Sequence, residues 1–178
     1  QLTREDQDSY AIESLTRANA AIESGAFADE VVPVTFSTRK GEVTVEVDEQ
    51  PGKGRPDKIP QLRAAFAKDG TITAATSSSI SDGAAAVVLT RKSVAEAKGL
   101  TPVATIVGLA AHAQEPAAFT TAPVGAIMKL LEQVGWGVDD VDLWEVNEAF
   151  ASVVMRFLQA FEVDSDKVNV NGGSIAIS

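Results

Sequence analysis

Val141-Asp-Leu-Trp-Glu-Val146 runs directly into Asn147-Glu-Ala-Phe-Ala-Ser-Val-Val-Met-Arg-Phe-Leu-Gln-Ala-Phe161. The first six residues read as a short strand. After Asn147 the apolar residues Phe150, Val153, Val154, Phe157, Leu158 and Phe161 fall at spacings of 3, 1, 3, 1 and 3, which predicts a helix buried along a broad stripe. A strand that feeds a buried helix in this way points to layered α/β architecture, with helices covering a mixed sheet.

The same alternation extends outward along the chain. Val124–Val134 places Val124, Ile127, Leu131 and Val134 at helical spacing, and Val103–Ala111 is an apolar segment that fits a strand. Ala84–Leu89 is a continuous small-apolar run of the kind buried on both faces of a sheet, and Ser93–Lys98 reads as a helix closed by Gly99. Towards the N-terminus, Gln61–Lys68 fits a short helix and Thr71–Thr76 a strand. Val31–Phe36 and Glu42–Val47 read as a hairpin turning at Lys40-Gly41. Residues 4–24 carry Ala11, Leu15, Ala18 and Ile22 on one helical face, with Gly25 at the C-cap position. A domain boundary is expected near Leu100.

Composition excludes several functions. The 178 residues are 45% hydrophobic and 22% charged, which is ordinary globular material. A formal net charge of −10 argues against nucleic acid as a partner, because such proteins set Lys and Arg against phosphates. No apolar run approaches the roughly 18 residues of a membrane span, and the start of the chain is polar, so neither a span nor a secretory signal is expected. Cysteine is absent and His112 is the one histidine, which excludes disulfides, a cysteine nucleophile within the chain and a Cys/His metal site.

Four places could carry chemistry, each with a plain structural alternative. Asn147, at the junction of strand and helix, could donate its amide into a crevice at the strand's carboxyl end, or could only cap the next helix with Glu148 set against the helix dipole. Thr76-Ser-Ser-Ser-Ile-Ser-Asp-Gly83 offers hydroxyls and free N–H groups to a phosphate or amide, or is a turn bent at Asp82-Gly83. Lys53, Arg55 and Lys58 reverse the sign of an acidic chain within a Pro/Gly-rich loop over 48–60, and could meet phosphates or form a solvated face. Gly172-Gly173 could bring backbone N–H groups to a ligand, or make a turn. His112 has no partner at a recognisable spacing and is read as structural or exposed.

Several segments, in order and spacing, resemble the thiolases, which make or break a carbon–carbon bond between two acyl-CoA units. They are the helix opened by Arg4-Glu-Asp-Gln-Asp8, Phe27-Ala-Asp-Glu-Val-Val-Pro33, Gly70–Ala86, Trp144-Glu-Val-Asn-Glu-Ala-Phe150 and Asn169-Val-Asn-Gly-Gly173. The resemblance implies an α/β fold of thiolase-like α-β-α layers, incomplete, with part of a loop domain. Residues 1–75 would be a loop-domain segment covering CoA, 76–100 the end of the N-terminal half and 101–178 the first part of the C-terminal half.

The resemblance also implies site residues. Asn147 would orient a water in an oxyanion hole, and Gly172 and Gly173 would present backbone donors nearby. Ser78 and Ala74 would line the pantetheine channel, Phe66 would lie beside the adenine, and Phe119 near the thiol end. Lys53 and Arg55 would lie where the CoA phosphates approach. CoA enters as substrate and product, with no separate cofactor and no metal.

The activity implied is acetyl-CoA C-acetyltransferase, by a ping-pong exchange through a cysteine that a histidine activates. Those groups are expected before Gln1 and after Ser178, so the 178 residues alone are expected to be inactive. Alternatives are a 3-ketoacyl-CoA thiolase of fatty-acid β-oxidation and a non-catalytic CoA-binding scaffold. A homodimer or homotetramer is implied, in the cytoplasm, or in the mitochondrial matrix or peroxisome of a eukaryote. Three departures stand out: Ala75-Thr-Ser-Ser-Ser79 replaces Gly-Asn-Ala-Ser-Gly, Phe119-Thr-Thr-Ala-Pro123 replaces a glycine-richer Met-Gly-x-Gly-Pro, and Ser178 stands where a Gly is usual.

Overall fold

The computed structural model describes residues 2–177, so the departure at Ser178 lies outside the described residues. Helix α1, Arg4–Ser24, starts at a capping box in which the Thr3 hydroxyl accepts from the Asp6 N–H and the Asp6 carboxylate accepts from the Thr3 N–H. It stops at Gly25, whose φ of 70° closes the helix in the left-handed region. Ala11, Leu15, Ala18 and Ala21 are its buried apolar residues; Ile22 is only half-buried.

Strands β1 (Val34–Thr38) and β2 (Gly41–Val45) form the expected antiparallel hairpin, with Val34 opposite Val45 and Phe36 opposite Val43. The loop expected over 48–60 is instead helical in two pieces. Asp48 caps α2, Glu49–Lys53, by accepting from the Gln50 N–H, and Pro56 opens a 3-10 helix over Pro56–Gln61. Proline near a helix start costs no hydrogen bond, so a Pro-rich stretch can begin helices as well as break them.

The helix expected over 61–68 is absent, and 71–76 is a 3-10 turn at Ala74–Thr76 and not a strand. Helix α3 spans Lys92–Ala97, α4 Ala122–Val134 with Gly135 as a left-handed cap, α5 Ala151–Phe161, and α6 Ser174–Ile177.

The α/β character holds, but the mixed sheet does not form. Among the described residues the one sheet is the β1–β2 ribbon. Residues 84–89 and 103–111 have no strand neighbour and stay open to solvent, with Val88 94% and Val103 105% exposed. Apolar character alone cannot make a strand, because the ladder needs a second chain segment.

Residues 141–146 pair only through the parallel bridge Trp144↔Val168, made by Trp144 N–H to Lys167 C=O at 2.8 Å and Asn169 N–H to Trp144 C=O at 2.9 Å. The side-chain amide of Asn169 then imitates a peptide. Its Oδ1 accepts from the Val146 N–H and its Nδ2 donates to the Val146 carbonyl, both at 2.8 Å. A backbone φ of 47° turns Asn169 out of the extended path, and Asn tolerates that region better than most residues.

The main core gathers on α5. Val153, Val154 and Phe157 are buried with Val146 and Val168, and Trp144, Phe161 and Tyr10 pack around them. Full burial of each such side chain contributes about 1.5–3 kcal/mol, so the stripe that predicts α5 also supplies much of what holds it. Trp144, Phe157 and Phe161 make a three-ring cluster with centroid separations of 5.1 to 6.1 Å. A smaller cluster of Leu15, Ala18 and Ala176 seats α6 on α1.

Candidate active site

Glu148 is the most constrained side chain at the junction of these parts. It is 0% exposed and faces four neutral donors. Oε1 accepts from the Tyr10 hydroxyl at 2.6 Å and the Asn169 amide at 3.0 Å; Oε2 accepts from the Ser14 hydroxyl at 2.8 Å and the Ile175 N–H at 3.0 Å. A buried carboxylate without a cation is tolerable only when its lone pairs are filled in this way. Burial pushes the Tyr10 hydroxyl far above its ordinary pKa, and the negative charge of Glu148 pushes it further, so Tyr10 stays protonated and donating.

Asn147 is exposed between buried Val146 and Glu148. Extended chain sends successive side chains to opposite sides, so anchoring its two neighbours inward turns Asn147 outward. It does not cap α5: the N-cap is Phe150, in extended conformation with φ −145° and ψ 153°. Glu148 does not complement the helix dipole either, because its carboxylate is committed to α1, Asn169 and the start of α6.

Gly172 and Gly173 make a turn and a close approach. Gly172 N–H donates to the Asn169 carbonyl at 2.9 Å and Gly173 N–H to the Ser14 hydroxyl at 3.1 Å, so both donors have partners inside the chain. What the positions need is closeness. A Cβ on Gly172, at φ 80°, would lie 2.7 Å from Ala18, and one on Gly173 would lie 2.3 Å from the Glu148 carboxyl carbon.

The Ser-rich loop lies against the same segment. Ser77 forms an antiparallel bridge with Phe150, and the Ser78 N–H donates to the Ala149 carbonyl at 3.3 Å. Behind it, Thr73 and Thr76 are fully buried and cap each other reciprocally, which fixes the 3-10 turn from which the loop departs. Residues 78–90 form neither a turn nor a bend, so the loop is not bent at Asp82-Gly83. From α2, the Gln50 amide reaches the Ser79 and Ser81 hydroxyls at 3.1 and 3.3 Å.

Beneath that contact lies an open cleft of about 400 Å³ whose lining includes Lys53, Arg55, Lys58, Ala74, Ser79 and Leu15. Three cations at its rim can meet anionic oxygens. Lys53 pairs with Glu49 at 3.3 Å, while Arg55 and Lys58 share Asp57 at 4.0 and 3.8 Å. All are exposed, and such pairs hold their partners with at most about 1 kcal/mol, so they yield readily to a phosphate.

Phe66 and Phe119 lie outside that cleft and converge on a residue the sequence reading did not single out. Phe150 meets Phe66 edge-on at 6.1 Å and Phe119 at 6.0 Å. Phe66 is 75% exposed and Phe119 51%, so the trio offers an apolar surface to whatever lies beside the Ser77–Phe150 bridge. His112 is half-buried with its ring packed on Gly125, where a Cβ would fall 2.5 Å from Cδ2; its Nδ1 has no hydrogen-bond partner among the described residues.

The structure thus groups the expected residues in three sets: Lys53, Arg55 and Ala74 around the cleft, Phe66 and Phe119 around Phe150, and Asn147 with Gly172-Gly173 around Glu148. Sequence reasoning missed Glu148, Asn169, Tyr10 and Phe150 as parts of the arrangement. The available signal was the burial expected for Glu148 from its place between two apolar stretches; its partners come from up to 138 residues away.

Comparison with known proteins accords with this geometry. Residues 1–93 match the model of the thiolase N-terminal domain and residues 100–178 that of the thiolase C-terminal domain. The chain is 47% identical over 176 residues to an acetyl-CoA acetyltransferase of Yarrowia lipolytica, and 44% identical over 178 residues to the mitochondrial acetyl-CoA acetyltransferase of Macaca fascicularis. In each case 99% of this chain is covered, against 44% and 42% of the relative. It superposes on the crystal structure of the Bacillus anthracis acetyl-CoA acetyltransferase with a TM-score of 0.95 at 42% identity, covering 99% of this chain and 45% of that one. The Acat5 thiolase of Ascaris suum, solved in complex with coenzyme A, gives a TM-score of 0.91 at 42% identity. The chain spans less than half the length of the relatives it matches, and it belongs to the thiolase family.

Proposed function

We propose that this chain forms the CoA-cradling and oxyanion-side part of an acetyl-CoA C-acetyltransferase, which condenses two acetyl-CoA to acetoacetyl-CoA and CoA or runs the reverse thiolysis. The observation that carries this reading is the Ser77–Phe150 bridge, which seats the Ser-rich loop against the segment bearing Asn147. In this reading Lys53 and Arg55 meet phosphates, Ala74 and Ser78 flank the pantetheine arm, and Phe66 and Phe119 supply apolar contact. Asn147 is exposed, with no hydrogen bond to another described residue, which leaves its amide free to hold a water or a developing oxyanion. The likeness to acetyl-CoA acetyltransferases at 43–47% identity supports the substrate.

The division into a CoA-covering segment over 1–75, an N-half ending over 76–100 and a C-half beginning at 101 follows from the same reading. So does assembly as a homodimer or homotetramer. No helix among the described residues is long and apolar enough to cross a membrane. The compartment in this reading is the cytoplasm, or the mitochondrial matrix or peroxisome of a eukaryote, and relatives from Macaca fascicularis, Bos taurus and Homo sapiens are named mitochondrial.

The test is turnover by the full gene product. Cleavage of acetoacetyl-CoA well above that of longer 3-ketoacyl-CoAs is expected. Equal or better cleavage of the longer substrates would assign a 3-ketoacyl-CoA thiolase, and CoA binding without cleavage a scaffold.

A further inference from the structure

We propose that Glu148 is a positioning residue for Asn147: it touches no ligand but fixes where the Asn147 amide points. The inference rests on the oxyanion reading of Asn147 above and adds a residue to it. Glu148 is joined to Asn147 by one peptide bond and is tied to three separate pieces of chain: Tyr10 and Ser14 of α1, Asn169, and the Ile175 N–H of α6. Asn169 also clamps Val146 on the other side of Asn147 through both of its amide atoms. Asn147 is therefore an outward-facing side chain held between two anchored neighbours, with no hydrogen bond of its own to another described residue.

The chemistry specifies a carboxylate at position 148. Tyr10 and Ser14 hydroxyls can turn, but the Asn169 amide nitrogen and the Ile175 N–H can only donate, and one of them faces each oxygen. A glutamine there would set its NH2 against an obligate donor in either orientation. Glu148→Gln keeps size and shape and still breaks the arrangement, so it separates positioning from bulk. Tyr10→Phe and Ser14→Ala each remove one donor and leave the carboxylate in place.

The experiment measures kcat and KM for acetoacetyl-CoA thiolysis in the full gene product carrying Asn147→Ala, Glu148→Gln, Tyr10→Phe, Ser14→Ala and the double combinations with Asn147→Ala. A displacement of about 1 Å at a reacting group costs on the order of a hundredfold, so Glu148→Gln is expected to lower kcat by about that factor with KM little changed. The single-donor variants should lower kcat by roughly tenfold or less. Placed on Asn147→Ala, each should add almost nothing, because its effect passes through the missing amide.

If Asn147→Ala leaves kcat unchanged, the oxyanion reading of Asn147 fails, and this inference with it. If Asn147→Ala lowers kcat and the partner variants either lower it further by independent factors on that background or leave kcat unchanged as single variants, the positioning role alone is overturned. Should Glu148→Gln fail to accumulate as folded protein, the Tyr10→Phe and Ser14→Ala cycles decide the matter.

Discussion

A Cβ placed on Gly173 would fall 2.3 Å from the carboxyl carbon of Glu148 and 2.5 and 2.6 Å from its two oxygens. The carboxylate cannot retreat, because four donors hold it. Gly173→Ala is therefore expected to destabilise the fold by about 1–3 kcal/mol, the usual range for overpacking a filled interior. Urea denaturation would show the shift in midpoint. Gly41→Ala, at a position where nothing lies within 4 Å, removes no such space and tests backbone strain alone, since its φ is 118°.

Arg4 ties the start of α1 to the Pro56–Gln61 helix. Its Nε lies 2.8 Å from both oxygens of buried Asp8, and its Nη2 donates to the carbonyls of Ile59 and Leu62 at 3.1 and 3.0 Å. Arg4→Ala leaves Asp8 buried and unpaired and frees two carbonyls, a loss expected at about 1–3 kcal/mol. Adding Asp8→Ala should restore part of it in a double-mutant cycle; strict additivity would show the pair to be uncoupled.

Lys53→Glu with Arg55→Glu reverses two charges at the rim of the cleft. Each exposed charge is worth about 1 kcal/mol or less, so CoA binding by the full gene product is expected to weaken on the order of tenfold at low salt. The difference from the unmutated protein should shrink as salt is raised, because screening reaches exposed charges. Titration calorimetry at two ionic strengths checks both parts.

The carboxyl of Glu145 is raised above its ordinary pKa, first by burial and then by the charge of Glu148. A carboxyl raised in the folded state favours folding below the unfolded pKa of about 4.5, and that contribution is lost as pH rises through the higher folded value. Glu145→Gln is thus expected to stabilise the protein relative to the parent at pH 7 and to give no such advantage at pH 4. Thermal melts across this range, with a crossover in the opposite sense, would contradict the assignment.

Elements fixed by local periodicity and caps were legible in the chain. Residues 4–24 with Gly25, residues 124–134 with Gly135, and the stripe from Val153 to Phe161 each carry their own signal. Segments whose state depends on a distant partner were not. Ala84–Leu89 and Val103–Ala111 have the composition of buried strands but lack a neighbour, and Val141–Val146 is stopped after one bridge by an asparagine 23 residues further on.

The site divides in the same way. Asn147, Ser78 and the basic loop stand out by residue type, whereas Glu148 looks like an ordinary helix-start acid until α1 and α6 close over it. Gly172-Gly173 carries a partner that was hidden for a related reason. Glycine signals close approach, but the sequence does not say that the approaching group is the protein's own helix and glutamate.

All four partners of Glu148 are uncharged dipoles, and the carboxylate is sealed from solvent. Mobile ions cannot shield an attraction they cannot reach, so this joint keeps its strength from dilute buffer to brine. The cationic rim of the cleft has no such protection. If that rim captures CoA as proposed, a cell whose ionic strength fluctuates would find the capture loosening and tightening with its salt, while the frame around Asn147 stayed unchanged.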